Sequence, residues 1–544
     1  MTDSHGQTSI PARAAAAFRD GRGPALWLLG TLVGVIAGYA TLALRLGISA
    51  VERTAFGVTE IHLASAASHL PAWRLLLIPL AAGGLIAAML WLGKRWELAP
   101  DTRGKGVADV IEARAVNAGR ISLRSGLYSA IMSAISLGGG ASAGREGPAV
   151  HLGAALASAV GQALGMAPRG SRILLACGAA AAVSASFNAP VAGALFAFEV
   201  VLGHYALRSM APVAASSIVG ALIVRHHLGQ DPVFGLAEMA SASVWDFPAA
   251  ALLGVAAAGL AIVFNRGAIF APARLGQWCE RMGIPVWILP VPGGLAIGFL
   301  ALFTPEILGV GYEATTNALN GAYAFHQLLI FIAMKTLATV ISLGFRFAGG
   351  VFSPSMYLGA MLGAAFGMVM TMLFGDQTAG THFFAVIGMG AVSGAVLGAP
   401  LSTTLIVFEL TSSYEASVAV LLSVSLATVL TQSALGGSLF QLQVQRKGYD
   451  IAGGSSRLVL QTVRVRDVLT PLDDWGHSEI QDKTCVFEDD TLGRALGVLD
   501  AEQVDGAAVR TRTGEQEIIG WISKADAQAA YARRLAEISE EEHR

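Results

Sequence analysis

Charged side chains are scarce in this sequence. Asp, Glu, Lys and Arg together make up 14% of its 544 residues, while hydrophobic residues make up 54%. A soluble chain of this length carries about a quarter charged residues, so most of this one is not built to face water. The formal net charge of -2 is uninformative, and no nucleic-acid partner is expected. Cysteine is scarcer still: Cys177, Cys279 and Cys485 are scattered without metal-ligand spacing, so neither a disulfide framework nor a zinc site is implied. No motif calls for a cofactor. The N-terminus shows no small-residue cleavage pattern. Arg13, Arg19 and Arg22 precede the first apolar run, which predicts that segment 1–24 is retained and cytoplasmic.

What the sequence has instead is uncharged length. Ala25–Leu44, Leu75–Gly93, Phe247–Asn265 and Val286–Pro305 each approach the roughly 20 residues that cross a hydrocarbon core as helix. No Asp, Glu, Lys or Arg lies between Asp376 and Glu409, and Ala416–Gln445 is equally bare. Other apolar stretches are short and broken by Gly and Pro, as at Gly138–Gly153, Ala189–Gly193 and Gly349–Pro354. Such breaks free backbone N–H and C=O groups, which lipid tolerates only where they are enclosed by protein or line a polar cavity. Broken helices therefore imply a site inside the membrane.

The sequence also repeats. Gly144, Pro148, Leu152, Gly153, Ala154, Leu156 and Gly161 recur 206 residues later as Gly350, Pro354, Leu358, Gly359, Ala360, Leu362 and Gly367. Ala189-Pro190 and Phe198-Glu199 recur 210 residues later as Ala399-Pro400 and Phe408-Glu409. Two halves in the same order, each with a broken helix, are the mark of a transporter or channel built from two membrane repeats, here about 75–230 and 285–446. In both, a Gly-rich turn with Pro leads into an apolar helix, and Pro suits the first turn because its missing N–H needs no partner there. The free N–H groups and the positive end of the helix dipole then make an anion site without a full charge. Two such ends meeting near the midplane hold a partly dehydrated anion weakly enough to release it.

Gly144-Arg145-Glu146-Gly147-Pro148 resembles the signature around the gating glutamate of the CLC chloride channel and transporter family, and Gly349-Gly350-Val351-Phe352-Ser353-Pro354 resembles its second pore motif. Gly104-Lys105-Gly106-Val107-Ala108 sits where that family has its first pore motif, and the resemblance covers about residues 25–448. It implies an all-α, multi-pass homodimer in the lipid bilayer, with one chloride pathway in each subunit. It also implies Glu146 as the gate, the amides of Arg145, Glu146 and Gly147 toward an outer anion, and those of Val351 and Phe352 toward a central one.

Three departures stand beside these matches. Lys105 takes the place of the first motif's serine, and Phe440 that of the family's pore tyrosine, so both side-chain hydroxyls are lost. Lys105 has three readings: it binds the anion, it snorkels to the cytoplasmic mouth, or it pairs with Asp101 and Asp109. Val200 occupies the position where the family's antiporters carry a proton-passing glutamate. Glu199 precedes it, but adjacent helical residues point about 100° apart. Passive chloride conduction is the expectation. The alternatives are chloride/proton antiport by another route, with His151 or His204 as relays, and conduction of fluoride, nitrate or bicarbonate. The Gly140-Ala141-Ser142-Ala143-Gly144 string fits a hydrolase elbow by letter only, since that motif needs a strand before it, and no enzyme is expected.

Beyond Arg446-Lys447 the sequence turns polar. Residues 449–460, with Gly453-Gly454-Ser455-Ser456, read as a flexible linker. Residues 461–536 read as a small α/β unit with strands at Thr484–Val486, Gly506–Val509 and Ile518–Ile522, a turn at Thr513-Gly514, and Asp490 capping a helix over Leu492–Leu499. Ser523–Asp526 reads as a capping box opening the last helix, and 537–544 as a charged tail. The order resembles one CBS motif, entered through Val463–Pro471. Such motifs work in pairs around adenine nucleotides, so a nucleotide here requires a second copy. The Ala- and Gly-rich composition points to a bacterial inner membrane with both termini cytoplasmic.

Overall fold

The computed structural model describes residues 24–543 apart from 99, 102, 230–233, 235–241, 452, 472–483 and 513–516. Arg13, Arg19, Arg22 and the expected Thr513-Gly514 turn lie outside the described residues. Among the described residues, nine helices are long and apolar enough to cross a membrane. The chain divides into two compact units, the second made of the residues from Gln443 onward together with Ala206–Arg208.

In the first unit the apolar runs are helical, and several extend beyond the bare stretch read from sequence. The first is Pro24–Phe56, and Phe247–Asn265 lies inside Asp246–Met282. Val286–Pro305 is the exception: a 3-10 turn at Val286–Ile288 is followed by a helix of only 12 residues, Pro290–Ala301, that opens on its proline. The breaks fall where Gly and Pro put them, and they fall alike in both repeats. Pro168–Phe187 ends on Asn188 in the left-handed conformation (φ 58°), and Gly380–Leu397 ends on Gly398 (φ 71°). Each is followed by Ala and then by Pro as the first residue of a new helix, Pro190–Phe196 and Pro400–Thr411. A left-handed residue closes a helix by turning its last amides back on free carbonyls, and proline opens the next without wasting an N–H.

Helices approach each other through paired glycines, again in both repeats. A Cβ on Gly153 would lie 2.4 Å from the Gly178 carbonyl oxygen, and one on Gly178 2.2 Å from that of Gly153. Gly359 and Gly388 stand in the same relation, at 2.2 and 2.4 Å. No side chain fits between these backbones, which is how membrane helices pack most closely. The Pro168–Phe187 helix is buried from Gly170 to Phe187.

The second unit holds a four-stranded sheet in the order β1-β4-β3-β2, with β1 Thr470–Pro471, β2 Cys485–Phe487, β3 Gly506–Arg510 and β4 Ile518–Ser523. β2 and β3 are parallel, joined by helix Leu492–Ala501, and β4 is antiparallel to β3 and β1. Val486, Leu492, Leu499, Val509 and Ile522 form its core. Three expectations are corrected here. The linker stretch carries a helix, Gly454–Thr462, despite its glycines. Thr491, not Asp490, caps the following helix by accepting the Arg494 amide at 3.3 Å, while Asp490 accepts the Phe487 amide at 3.0 Å. The charged tail is no separate segment, because helix Lys524–His543 runs through it. Ser523 and Asp526 do make the expected cap, the Asp526 amide donating to the serine hydroxyl at 3.0 Å.

Candidate functional site

The two repeats meet at their repeated glycines. The Gly144 amide donates to the Gly350 carbonyl at 2.7 Å and the Gly350 amide to the Gly144 carbonyl at 2.6 Å, as an isolated antiparallel bridge. This exchange sets the start of helix Glu146–Ala163 beside the start of helix Phe352–Phe374. Glycine is required there: a Cβ on Gly147 would lie 3.1 Å from Gly350 Cα, and one on Gly350 2.9 Å from the Gly147 nitrogen. The first motif joins them, since a Cβ on Gly104 would lie 2.5 Å from that of Ala348. Three segments more than two hundred residues apart at their extremes thus converge as the repeats require.

Glu146, 1% exposed, opens its helix. Its Oε1 accepts the Tyr312 hydroxyl at 3.1 Å and, at shorter range, the Ser353 hydroxyl; its Oε2 accepts the Ser353 amide at 3.4 Å. The carboxylate of one repeat therefore sits on the helix start of the other. A buried carboxylate needs such donors, and hydrogen bonds to an ion are roughly twice as strong as neutral ones. An anion is held where the chain's own anion lies, so the same donors can serve a free one. Arg145, buried as the cap of that helix, lays its guanidinium 4.7 Å over the Tyr312 ring. Phe234 packs against Tyr312 at 5.3 Å between centroids.

Tyr312 is itself held in place from below. The buried Lys335 ammonium donates to the Ile307 carbonyl at 2.9 Å and the Gly309 carbonyl at 3.0 Å. It also lies 5.1 Å from the centre of the Tyr357 ring. Those carbonyls belong to the loop that turns through Gly309 and Gly311, both at positive φ, into Tyr312.

The remaining sequence-derived residues divide. Val351 caps the second helix and Phe352 opens it, its ring against Phe187 at 4.7 Å and Phe196 at 6.3 Å. Lys105 takes the third of its readings. Its ammonium pairs with Asp101 at 2.5 Å and Asp109 at 3.7 Å, and its amide donates to the Ser129 hydroxyl at 2.8 Å. Gly106 caps helix Val107–Ala115, its amide donating to Asp109 at 2.8 Å. Phe440 is buried in helix Leu439–Gln445. Ser142 bonds Thr339 at 3.1 Å and follows a helix rather than a strand, so it forms no hydrolase elbow.

Val200 lies in a π-helical turn, Ala197–Leu202. Its neighbour Glu199 spends both carboxylate oxygens on the amides of Leu401 at 2.9 Å and Ser402 at 2.8 Å. Its repeat mate does the converse: Glu409 accepts the Val191 amide at 3.0 Å and the Ala192 amide at 2.8 Å. Each glutamate caps the other repeat's proline-led helix.

Sequence reasoning missed Tyr312, Ser353 and Lys335. Lys335 carried a signal, a single lysine inside the otherwise uncharged helix Phe325–Gly344. Ser353 stood within the quoted motif beside Phe352. Tyr312, 166 residues from Glu146, carried none.

The profile of the family described as "Voltage gated chloride channel" matches residues 83–432. A putative ClcB-like chloride channel protein of Ralstonia nicotianae is 34% identical over 393 residues, covering 71% of this chain and 88% of the relative. A voltage-gated ClC-type chloride channel, ClcB, of Escherichia coli is 30% identical over 425 residues, covering 76% of this chain and 97% of that protein. Among solved structures, a slow cyanobacterial Cl-/H+ antiporter superposes with TM-score 0.68 at 24% identity, over 78% of this chain and 98% of the other. A eukaryotic CLC transporter superposes with TM-score 0.65 at 18% identity, over 94% and 98%. These superpositions speak for the fold.

Proposed function

The chain belongs to the CLC family of voltage gated chloride channels and transporters, a multi-pass membrane protein, and from that premise we propose that it conducts chloride passively under the control of Glu146. The observation that carries the proposal is the Glu146 carboxylate seated on the Ser353 amide and hydroxyl of the opposite repeat. In that position it occupies an anion's place, and conduction requires it to leave. The amides of Arg145, Gly147, Val351 and Phe352, at the starts of the two helices, are assigned to the anion path with Gly104 and Gly106. Phe440 is assigned to its wall. Lys105, paired with Asp101, acts on the anion only through the local field.

Uncoupled conduction rather than proton exchange is supported by Val200 and by Glu199. A carboxylate that accepts two backbone amides is engaged as a helix cap and is poorly placed to shuttle protons. On the same family premise the protein acts as a homodimer in a bacterial inner membrane with cytoplasmic termini. The C-terminal unit is then one half of a CBS-like pair, able to take an adenine nucleotide only where a second copy completes the cleft.

The test is chloride flux in liposomes holding the purified full chain, with a pH gradient imposed and the reversal potential recorded. A reversal potential set by chloride alone is the expected result. One that moves systematically with the pH gradient overturns passive conduction in favour of antiport. Glu146→Ala is expected to raise chloride flux; a Glu146→Ala protein no faster than the parent removes Glu146 from the gate.

A further inference from the structure

Two of the three donors to Glu146 are side-chain hydroxyls, and they come from different elements. Ser353 belongs to the second repeat's broken helix and Tyr312 to the short helix Tyr312–Leu319. Both residues are buried, at 3% and 5% exposure. We infer that Ser353 and Tyr312 are specificity-determining residues of this pathway: their hydroxyls hold the carboxylate while it is seated and pass to the permeating anion when it leaves. The inference rests on the reading of Glu146 as a displaceable gate.

The physical argument starts from the cost of an empty site. Among the described residues, the acceptor that the Ser353 hydroxyl finds is Glu146. A buried hydroxyl that loses its acceptor costs about 1–3 kcal/mol, so the departing carboxylate must be replaced. The replacement has to be an acceptor small enough for a place shaped to one carboxylate oxygen, flanked by the Ser353 amide. A partly dehydrated halide meets both conditions. Tyr312 is pre-positioned for the same exchange. Its ring is fixed between Arg145 and Phe234, and the loop before it is clamped by Lys335, so its hydroxyl stays where the carboxylate left it.

Hydroxyl donors discriminate among anions. They form short, strong hydrogen bonds with compact, high-charge-density acceptors and gain less from large, diffuse ones, so they favour chloride over thiocyanate. The first pore motif and residue 440 supply no hydroxyl here, because Lys105 and Phe440 stand at those places. Two hydroxyl donors, those of Tyr312 and Ser353, stand instead at Glu146.

The experiment uses the full chain in liposomes and compares chloride with thiocyanate efflux in two backgrounds. In the Glu146→Ala background no carboxylate is present to be held, so Ser353→Ala reports anion contact alone. The chloride-to-thiocyanate ratio is expected to fall roughly three- to tenfold, the fold-change of one hydrogen bond. In the parent background, Ser353→Ala is expected to raise chloride efflux severalfold by loosening the carboxylate. Tyr312→Phe keeps the ring between Arg145 and Phe234 and carries the same test should Ser353→Ala fail to assemble. An unchanged ratio for both variants in the Glu146→Ala background overturns the inference. Failure of Glu146→Ala itself to conduct overturns the gate reading instead, and the two failures are therefore distinct.

Discussion

Gly144 and Gly350, repeat mates 206 residues apart, exchange both of their backbone hydrogen bonds at 2.7 and 2.6 Å. Equivalent residues that pair antiparallel with each other lie on a pseudo-two-fold axis, so the repeats run in opposed directions through this point. An inverted arrangement is what brings two helix starts together rather than a start and an end. The glutamates follow the same rule, Glu199 capping the Pro400 helix and Glu409 the Pro190 helix.

The close approach at the axis predicts intolerance to a single methyl group. In Gly350→Ala the new Cβ meets the Gly147 nitrogen at 2.9 Å, and backbone rather than a flexible side chain must move. The expected destabilisation is about 1–3 kcal/mol, accompanied by a loss of chloride flux of at least tenfold. Thermal unfolding and liposome flux measured together check it; a variant with parental flux would show that the junction is looser than its contacts.

Reciprocal capping predicts matched effects from Glu199→Ala and Glu409→Ala. Each removes a half-buried carboxylate that accepts two amides, a loss of about 1–2 kcal/mol. Neither is expected to alter the response of the reversal potential to pH. A change confined to Glu199→Ala would give that residue a proton-carrying task that its repeat mate lacks.

Lys335→Met strips the ammonium from the carbonyls of Ile307 and Gly309, a loss of about 1–3 kcal/mol for each buried acceptor left unpaired. The melting temperature is expected to fall by several degrees. Tyr312 should lose its fixed position, read as faster hydrogen exchange across residues 305–315. Lys335→Arg is expected to restore part of both; equal exchange in all three proteins would free Tyr312 from any dependence on Lys335.

In the C-terminal unit, Arg512 donates to Asp489 at 2.8 Å and to Asp490 at 2.7 Å and stacks 4.4 Å over Phe487. The Arg512 hydrogen bond holds the Asp489 carboxyl below its usual value. A carboxyl lowered on folding stabilises the fold above its unfolded value of about 4, and that share is lost as pH falls below it. Because the pair is exposed, the effect is small. Hydrogen exchange across residues 485–510, corrected for intrinsic rates, should rise between pH 6 and pH 3.5 in the parent. It should rise less in Arg512→Gln, where nothing remains to lose; an identical rise in both would remove Asp489 from the pH dependence.

What could be read from the sequence alone was whatever the repeat wrote twice. Gly144 with Gly350 and Pro190 with Pro400 marked the helix breaks, whereas Glu146 was singled out by the resemblance of its motif to the family signature. The donors to Glu146 were a different matter. Tyr312 and Ser353 reach it from 166 and 207 residues away, and no local periodicity encodes a contact of that range. Lys105 was ambiguous because a lysine beside Asp101 and Asp109 can be drawn to either carboxylates or a pore, and the shorter path to Asp101 prevailed. The linker misled through composition: Gly453-Gly454-Ser455-Ser456 disfavours helix, yet Arg457–Thr462 continues one and Val459 is fully buried. Asp490 and Thr491 are both good caps in adjacent positions, and only the coordinates separate them.

The paired glycines, Gly153 with Gly178 and Gly359 with Gly388, bear on speed. Backbones in direct contact cannot slide past one another without colliding, so the helices that carry the Glu146 and Phe352 ends form a stiff frame. Domain-scale rearrangements take microseconds to milliseconds, whereas a side chain changes rotamer in picoseconds to nanoseconds when it is free to turn. On a frame of this kind, the movement left to the site is the swing of one carboxylate about its own bonds. If Glu146 is the gate proposed above, throughput is paced by how long it lingers on its donors, not by how fast the protein can change shape.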